Sequence, residues 1–360
     1  MINSSKILFE KAFDEKPLCS SYAPGRVNLI GDHTDYNLGF VMPTPLSVGI
    51  EVSLSPTKSG LIEGKTELFK DIKRPINARP DGTWLDFVSG ALSVFYDEFP
   101  IISKTFKNGI KLAITSNLPS GSGLSSSASL SIALLKAINK LENQKVSKIK
   151  LAKLAQTIEH IFIGTECGLM DQMVISLGSK NKAMYFDVKN EKITNLPLFN
   201  DYEFLVIHSG IRRKLSNSKY NERKSECESA SKILKINNLR EADTKMLNLL
   251  RGKFLKRAKH VISENQRVNN CRDALVDNNA KLFGYNMYES HRSLSEDYEV
   301  SSDLLDTIIE KSKSLNVIGG RLTGAGFGGC CVLLSEKGKS MNVFNSLFSD
   351  LPSISLVDVI

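Results

Sequence analysis

The sequence of 360 residues is poor in cysteine, and what it has is badly spaced for metal or disulfide chemistry. Its six cysteines, at 19, 167, 227, 271, 330 and 331, form no C-x-x-C pair, and two are adjacent. This argues against zinc knuckles and a disulfide framework, and a reducing compartment, the cytoplasm, is the expected setting. No run approaches the roughly 18 apolar residues a membrane span needs. The opening MINSSKILFEKAF has no long apolar stretch followed by a small-residue cleavage site, so no signal peptide is expected. Internal repeats and low-complexity tracts are also missing. What remains is ordinary globular composition, 41% hydrophobic and 24% charged, long enough for two domains or one large one with a sizeable core.

The net charge is +8, and one stretch accounts for it. From Arg212 to Arg272 there are 17 Lys/Arg against 6 Asp/Glu. A block of this kind suits phosphate neutralisation on nucleic acid. No RNP aromatic signature, zinc-finger spacing or heptad-linked basic region accompanies it. The basic residues alternate with Leu, Ala and Phe, as in Arg251-Gly-Lys-Phe-Leu-Lys-Arg-Ala-Lys. Solvated helix faces are therefore expected and nucleic acid is not, with attraction of an anionic substrate left open.

Along the chain, Ser20 to Val52 reads as strands joined by a functional loop, and residues 56–82 as irregular surface structure. Lys111-Leu-Ala-Ile-Thr reads as a strand, and the stretch from Leu124 to Leu141 as a helix. Leu151, Leu154, Ala155, Ile158, Ile161 and Phe162 recur at steps of three and four, which marks an amphipathic helix. Glu203-Phe-Leu-Val-Ile-His reads as a strand, and helical patterns dominate from about Ser216 to Lys313. Arg321 to Leu334 reads as a Gly-rich loop running into a final strand at Cys330. These alternating patterns support α/β or α+β with two lobes, divided near Leu196–Tyr202 into 1–198 and 199–360.

Between the strand and the helix lies Leu118-Pro-Ser-Gly-Ser-Gly-Leu-Ser-Ser-Ser-Ala-Ser129. The first turn of a helix has unpaired N–H groups and partial positive charge. Gly121 and Gly123 let the backbone approach closely and take positive φ. Pro119, Gly121, Ser122, Gly123, Leu124, Ser125, Ser126 and Ser127 then make an anion cradle suited to ATP phosphates. A plain Gly/Ser turn with a Ser cap would use the same residues. Neither GxxxxGK[ST] nor GxGxxG occurs here, which excludes the two best-known nucleotide loops.

Leu118–Ser129 resembles the second motif of the GHMP small-molecule kinases. Pro24-Gly-Arg-Val-Asn-Leu-Ile-Gly-Asp-His-Thr-Asp-Tyr36 resembles the signature of the galactokinases in that superfamily. Cys167-Gly-Leu-Met-Asp-Gln172 is similar to their catalytic segment, and Arg321-Leu-Thr-Gly-Ala-Gly-Phe-Gly-Gly-Cys330 to the third GHMP motif. Asn217–Arg223 and Glu289–Leu294 match galactokinase segments as well. The similarity runs in order from about Ser21 to Leu334. It implies an α+β, two-lobed GHMP kinase fold, with a ribosomal-protein-S5-like N-terminal lobe and a ferredoxin-like element in the C-terminal lobe. It also implies ATP and Mg2+ as cofactors, a small sugar as substrate, and no nucleic acid or membrane partner. A monomer is expected.

Phosphoryl transfer needs alignment of the attacking oxygen and compensation of charge. A carboxylate can accept the proton of a sugar hydroxyl, and a guanidinium can orient it. A carboxylate is a weak base toward an alcohol, so late proton transfer or plain orientation is the easier account. The resemblance gives these roles to Asp171 and Arg26. Glu159 falls on or near the apolar stripe of its helix, where a charge needs a partner. A Mg2+ ion with Ser126 as a second ligand is one candidate, and a buried salt bridge the other. By resemblance the sugar pocket draws on Asp32, His33, Asp35, Gly168 and Tyr220 with Asp171. The family usually has Glu where this chain has Asp32, which retracts the carboxylate by one methylene. Asp32→Glu is therefore expected to lower KM for galactose. Gly324, Gly326, Gly328 and Gly329 read as a tight loop supporting the site. A kinase for N-acetylgalactosamine, a uronic acid or arabinose, and a non-catalytic sugar or ATP sensor, stay open beside galactokinase.

Overall fold

The structure, a computed structural model, describes residues 4–67, 69–102, 104–211 and 216–360, with side chains for all of these except 216–218. Arg212–Leu215 of the basic stretch and the side chains of Asn217 and Ser218 lie outside the described residues. The chain forms two compact units. One takes residues up to Gly25, Val48–Leu118 and Ser125–Leu177; the other takes Arg26–Ser47, Pro119–Leu124 and Gly178–Ile360. Both units use non-contiguous stretches, so no single cut in the sequence separates them.

The first unit combines α1 (Ser5–Phe13), α2 (Leu85–Glu98), α3 (Ser126–Leu141), α4 (Lys148–Ile158) and α5 (Met170–Leu177) with a five-stranded sheet. The strands are β1 (Cys19–Asn28), β3 (Pro43–Pro56), β4 (Leu61–Thr66), β5 (Ile72–Pro75) and β6 (Ile110–Ser116), in the order β1-β3-β6-β4-β5, with the last residues of β1 from Arg26 and the first of β3 up to Ser47 counted in the second unit. β3 pairs antiparallel with β6, Ile50 opposite Ser116, and β4 pairs parallel with β6, Ile62 opposite Ile110. β4 and β5 replace the irregular surface expected for 56–82. Their apolar content is thin, and the pairing of β4 to the buried strand β6, and of β5 to β4, decides their conformation. Ser147 starts α4 as the amphipathic pattern requires, its hydroxyl accepting from the Lys150 N–H at 3.2 Å. The helix then widens into a π turn over Glu159–Ile163.

The second unit holds β2 (Phe40–Val41), β7 (Lys182–Asp187) and β8 (Lys192–Pro197) in one small sheet. Its larger sheet is formed by β9 (Tyr202–His208), β10 (Gly319–Thr323), β11 (Cys330–Glu336) and β12 (Ser355–Val359), ordered β10-β11-β9-β12. Every pairing in it is antiparallel. The helices α6 (Ser216–Leu234), α7 (Gly252–Val276), α8 (Ala280–Glu296) and α9 (Asp303–Ser314) fill the first connection, and α10 (Ser340–Asp350) the second. This β-α-β-β-α-β course is the expected ferredoxin-like element. The unit's core includes Leu205, Ile207, Leu294, Tyr298, Leu322, Cys331 and Leu333. A Cβ on Gly284 of α8 would stand 2.1 Å from the Ile318 carbonyl oxygen, so the missing side chain sets how closely α8 lies on β10.

Two expectations change here. Arg321 is not in a loop but on β10, fully buried; the Gly-rich turn comes after it, and β12 rather than β11 is the last strand. That turn carries positive φ at Gly324, Gly326, Gly328 and Gly329 and is tied down by the Phe327 N–H on the Val300 carbonyl at 2.7 Å. The basic stretch is only partly solvated. Lys253, Lys256 and Lys259 are exposed on α7, but Arg257 is buried against Glu226 at 2.7 Å and Arg267 donates to Glu264 at 2.6 Å. Among the described residues no helix is long and apolar enough to cross a membrane.

Candidate active site

In the first unit the serine run opens α3. Ser125 is held in the left-handed region at φ +62° and makes no capping bond of its own, an unfavourable conformation for a residue with a Cβ. Its hydroxyl donates instead to a carboxylate oxygen of Asp171, in the first turn of α5. Ser127 donates to Glu159 Oε2 at 3.3 Å, and Gln172 Nε2 donates to Glu159 Oε1 at 2.8 Å. Glu159, on the π turn, is buried by both contacts. π turns interrupt a helix at functional positions more often than elsewhere. Gly168 is half-buried in the segment leading into α5.

The serine expected to share a metal with Glu159 is Ser126, yet Ser126 is exposed, and the bond to Glu159 comes from Ser127. The Gln172 side-chain oxygen is buried without a hydrogen-bond partner. A carboxylate, serine hydroxyls and an orphaned amide oxygen are the hard oxygen donors Mg2+ prefers, so the residues fit that ion. No group of three or more His, Cys, Asp or Glu placed to hold a metal ion occurs among the described residues. A Mg2+ ion that takes most of its ligands from phosphate and water needs none.

In the second unit Arg26 is buried, its Nη1 donating to the Gly123 carbonyl at 2.8 Å and its backbone N–H to Leu124 at 3.3 Å. Gly121 and Gly123 have φ of +70° and +75°, the left-handed turns expected of them, and the Ser122 N–H closes back on Pro119. The segment Gly31–Asp35 lies in the same unit. A Cβ on Gly31, at φ +97°, would meet the Phe40 carbonyl oxygen at 2.7 Å, so only glycine fits the turn. His33 shares a hydrogen bond with the Tyr36 hydroxyl at 2.8 Å, which in turn meets the Tyr298 hydroxyl at 2.8 Å. Tyr220 packs on His33 and Tyr36 with ring centroids 5.9 and 5.2 Å away. Desolvation holds the Tyr36 and Tyr298 phenols well above their ordinary pKa, so both stay protonated donors.

Asp32 is 2% exposed and has both carboxylate oxygens bonded within the protein. Asn28 Nδ2 donates to Oδ1 at 2.9 Å and Arg321 Nη2 to Oδ2 at 2.7 Å. Burial pushes its carboxyl above the usual value, opposed by the Arg321 guanidinium and the Asn28 amide. Beneath it Glu264 accepts from the Gly31 N–H at 2.9 Å and from Ser290 at 2.6 Å. Burial works against the Glu264 charge, but Arg267 and Arg321 outweigh it and hold the pKa at about 2. His260 donates from Nε2 to the Asp32 carbonyl at 3.2 Å, so Nδ1 accepts from Ser293. Desolvation lowers its pKa to about 4, which leaves the ring neutral.

The structure thus brings Ser125, Ser127, Glu159 and Asp171 together in one unit, and Arg26 with Gly123, and His33 with Tyr220, in the other. Sequence reasoning missed Glu264, His260, Ser290 and Tyr298, and read Arg321 only as the start of a motif. Arg321 carries a signal, a charge between apolar strand positions. Glu264 and His260 sit in a polar helical stretch and carry none.

Three family models match the chain: GHMP kinases N terminal domain at 86–179, galactokinase galactose-binding signature at 7–56, and GHMP kinases C terminal at 271–352. A galactokinase of Clostridium perfringens is 36% identical over 350 residues, covering 92% of this chain and 89% of the relative. A galactokinase of Thermococcus kodakarensis is 37% identical over 320 residues, covering 88% and 89%. Among solved structures, Lactococcus lactis galactokinase complexed with galactose matches with a TM-score of 0.89 at 29% identity, covering 98% of this chain and 97% of that one. A mevalonate kinase at 20% identity and a TM-score of 0.71, covering 95% of this chain and 98% of its own, shares the fold.

Proposed function

The chain belongs to the galactokinase family of GHMP kinases, and from that premise we propose that it transfers the γ-phosphoryl group of ATP to the anomeric hydroxyl of α-D-galactose. The observation that carries the mechanism is the Ser125 hydroxyl on the Asp171 carboxylate, which ties the expected base to the start of the helix expected to hold phosphate.

Asp171 orients the anomeric hydroxyl and takes its proton as the phosphoryl group moves. Arg26 compensates the charge that develops on the transferring group. Pro119, Gly121, Ser122, Gly123, Leu124 and Ser125–Ser127 cradle the ATP phosphates with backbone N–H groups and hydroxyls. Glu159 and Ser126 would hold Mg2+, with the orphaned Gln172 oxygen supporting the donor set, and the bound ion supplies neutralisation of phosphate charge. His33, Asp35, Gly168 and Tyr220 fix the sugar's hydroxyls by charge-assisted and neutral hydrogen bonds. Asp32 belongs to the same segment, its carboxylate already bonded to Arg321 and Asn28. The stretches 1–198 and 199–360 serve as N- and C-terminal kinase portions, a division supported by the reach of the two GHMP models. None of the six cysteines is in a disulfide, which fits a reducing cytoplasm, and the enzyme works there as a monomer on two small molecules.

The test is ADP release with a panel of galactose, N-acetylgalactosamine, galacturonic acid and arabinose at millimolar concentration. Galactose is expected to give the highest kcat/KM, and no turnover of it refutes the assignment. Binding of sugar and ATP without ADP release would make the protein a sensor. Chelation with EDTA is expected to abolish transfer and excess Mg2+ to restore it; EDTA-resistant turnover would remove the metal from the reading.

A further inference from the structure

We infer that Asp32, Arg321 and Glu264 form a buried positioning cluster that sets the backbone of the sugar segment, and that Asp32 in this chain bonds Arg321 rather than the sugar. The inference rests on the placement of the sugar at His33–Asp35 proposed above.

Of the bonds that converge on residues 28–32 from α7 and β10 or from within the segment, five involve Asp32, Arg321, Glu264 or His260. Glu264 accepts from the Gly31 N–H at 2.9 Å, and His260 donates to the Asp32 carbonyl at 3.2 Å. Arg321 donates through Nη1 to the Asn28 carbonyl at 3.1 Å and through Nη2 to Asp32 Oδ2 at 2.7 Å. Asn28 completes the ring on Asp32 Oδ1 at 2.9 Å. Arg321 and Glu264 are both 0% exposed and stand 3.6 Å apart. Arg267 on Glu264 makes the cluster two guanidiniums against two carboxylates, an electroneutral set in which every charge has a hydrogen-bonded partner. Removing one member leaves another buried and unpaired, so the cluster holds the turn at Gly31 rigidly. The turn sets where His33 and Asp35 stand. A group that reads a sugar hydroxyl must be reachable by it, and Asp32, 2% exposed with Asn28 and Arg321 already on its two oxygens, is closed off from one.

Three measurements test this. First, Asp32→Asn should lower kcat/KM by the same factor on galactose and on its 2-, 3-, 4- and 6-deoxy analogues. Loss of discrimination at one hydroxyl alone would mean direct contact and overturn the inference. Second, Glu264→Gln, which keeps shape and an acceptor, should raise KM for galactose at least tenfold while the Kd of ATP stays within twofold. A galactose KM that does not move overturns the positioning role. Third, a crystal structure of the unaltered chain with galactose should show no sugar oxygen within 3.5 Å of the Asp32 carboxylate, a result independent of whether either variant folds. An oxygen within that distance overturns the inference and leaves the kinase reading intact. If galactose is not turned over, the galactose assignment fails on its own, and the crystal measurement is decided with whichever panel sugar the chain phosphorylates.

Discussion

Asp171 and Asp32 are both short carboxylates in family motifs, and their surroundings separate them. Asp171 is half-buried and accepts a hydrogen bond from the Ser125 hydroxyl, and a carboxylate that keeps exposed surface can meet a substrate hydroxyl as well. Asp171→Asn should therefore keep ATP affinity and lower kcat by roughly 10²–10⁴, the range for loss of a positioned proton acceptor; near-normal kcat in single-turnover assays would refute the role. Asp32 is enclosed by Arg321 and Asn28. Adding a methylene there overpacks a closed site at a cost of about 1–3 kcal/mol. Asp32→Glu is thus expected to lower the unfolding midpoint and leave KM for galactose unchanged or higher, the reverse of what the shortened carboxylate alone suggests. A lower KM with unchanged stability would restore the direct-contact reading.

At the level of elements, close backbone approach fixes the geometry that side chains then use. α8 lies on β10 because Gly284 has no Cβ to strike Ile318, and α8 brings Ser290 within 2.6 Å of Glu264. Gly284→Ala should cost about 2–4 kcal/mol, since the obstacle is backbone and cannot rotate away. Urea unfolding would show this as a lower midpoint with an unchanged slope, and a midpoint within error of the parent would contradict it. In the other unit, α4 supplies its apolar stripe regularly until Ile158 and then opens into the π turn that carries Glu159. The extra residue in that turn re-aims Glu159 toward Ser127 and Gln172, a change no 3.6-residue pattern contains.

Over the whole molecule, buried charge makes stability depend on pH. His260 has a folded pKa of about 4 against 6.5 ordinarily, and Glu264 about 2 against 4.5. Both are lowered, so the unfolded chain binds protons that the folded chain refuses. Stability from His260 is whole above pH 6.5 and falls as pH drops toward 4; that from Glu264 falls between 4.5 and 2. The groups facing His260 are Glu264, Arg267 and Arg321, with the Tyr298 ring tilted against it at 4.5 Å between centroids. Each pKa unit is worth about 1.4 kcal/mol, so acidification from pH 7 to 5 should lower the melting temperature measurably. His260→Gln should flatten that decline, and an unchanged slope would show that other groups govern it. Much of this protein was legible beforehand. Periodicity located α3, α4, β6 and β9, because amphipathic burial writes itself into local spacing. The glycines of the phosphate segment announced their left-handed turns, because only glycine takes them freely. The motif order was enough to indicate a sugar kinase. Tertiary structure alone decided the rest: that β4 exists through pairing to β6, that Arg321 is a buried counter-ion rather than a loop residue, and that Glu159 meets Ser127. Partners brought together from 233 to 295 positions apart, such as Gly31 with Glu264 and Asn28 with Thr323, leave no local trace, since hydrogen bonds and ion pairs depend on distance in space and not along the chain.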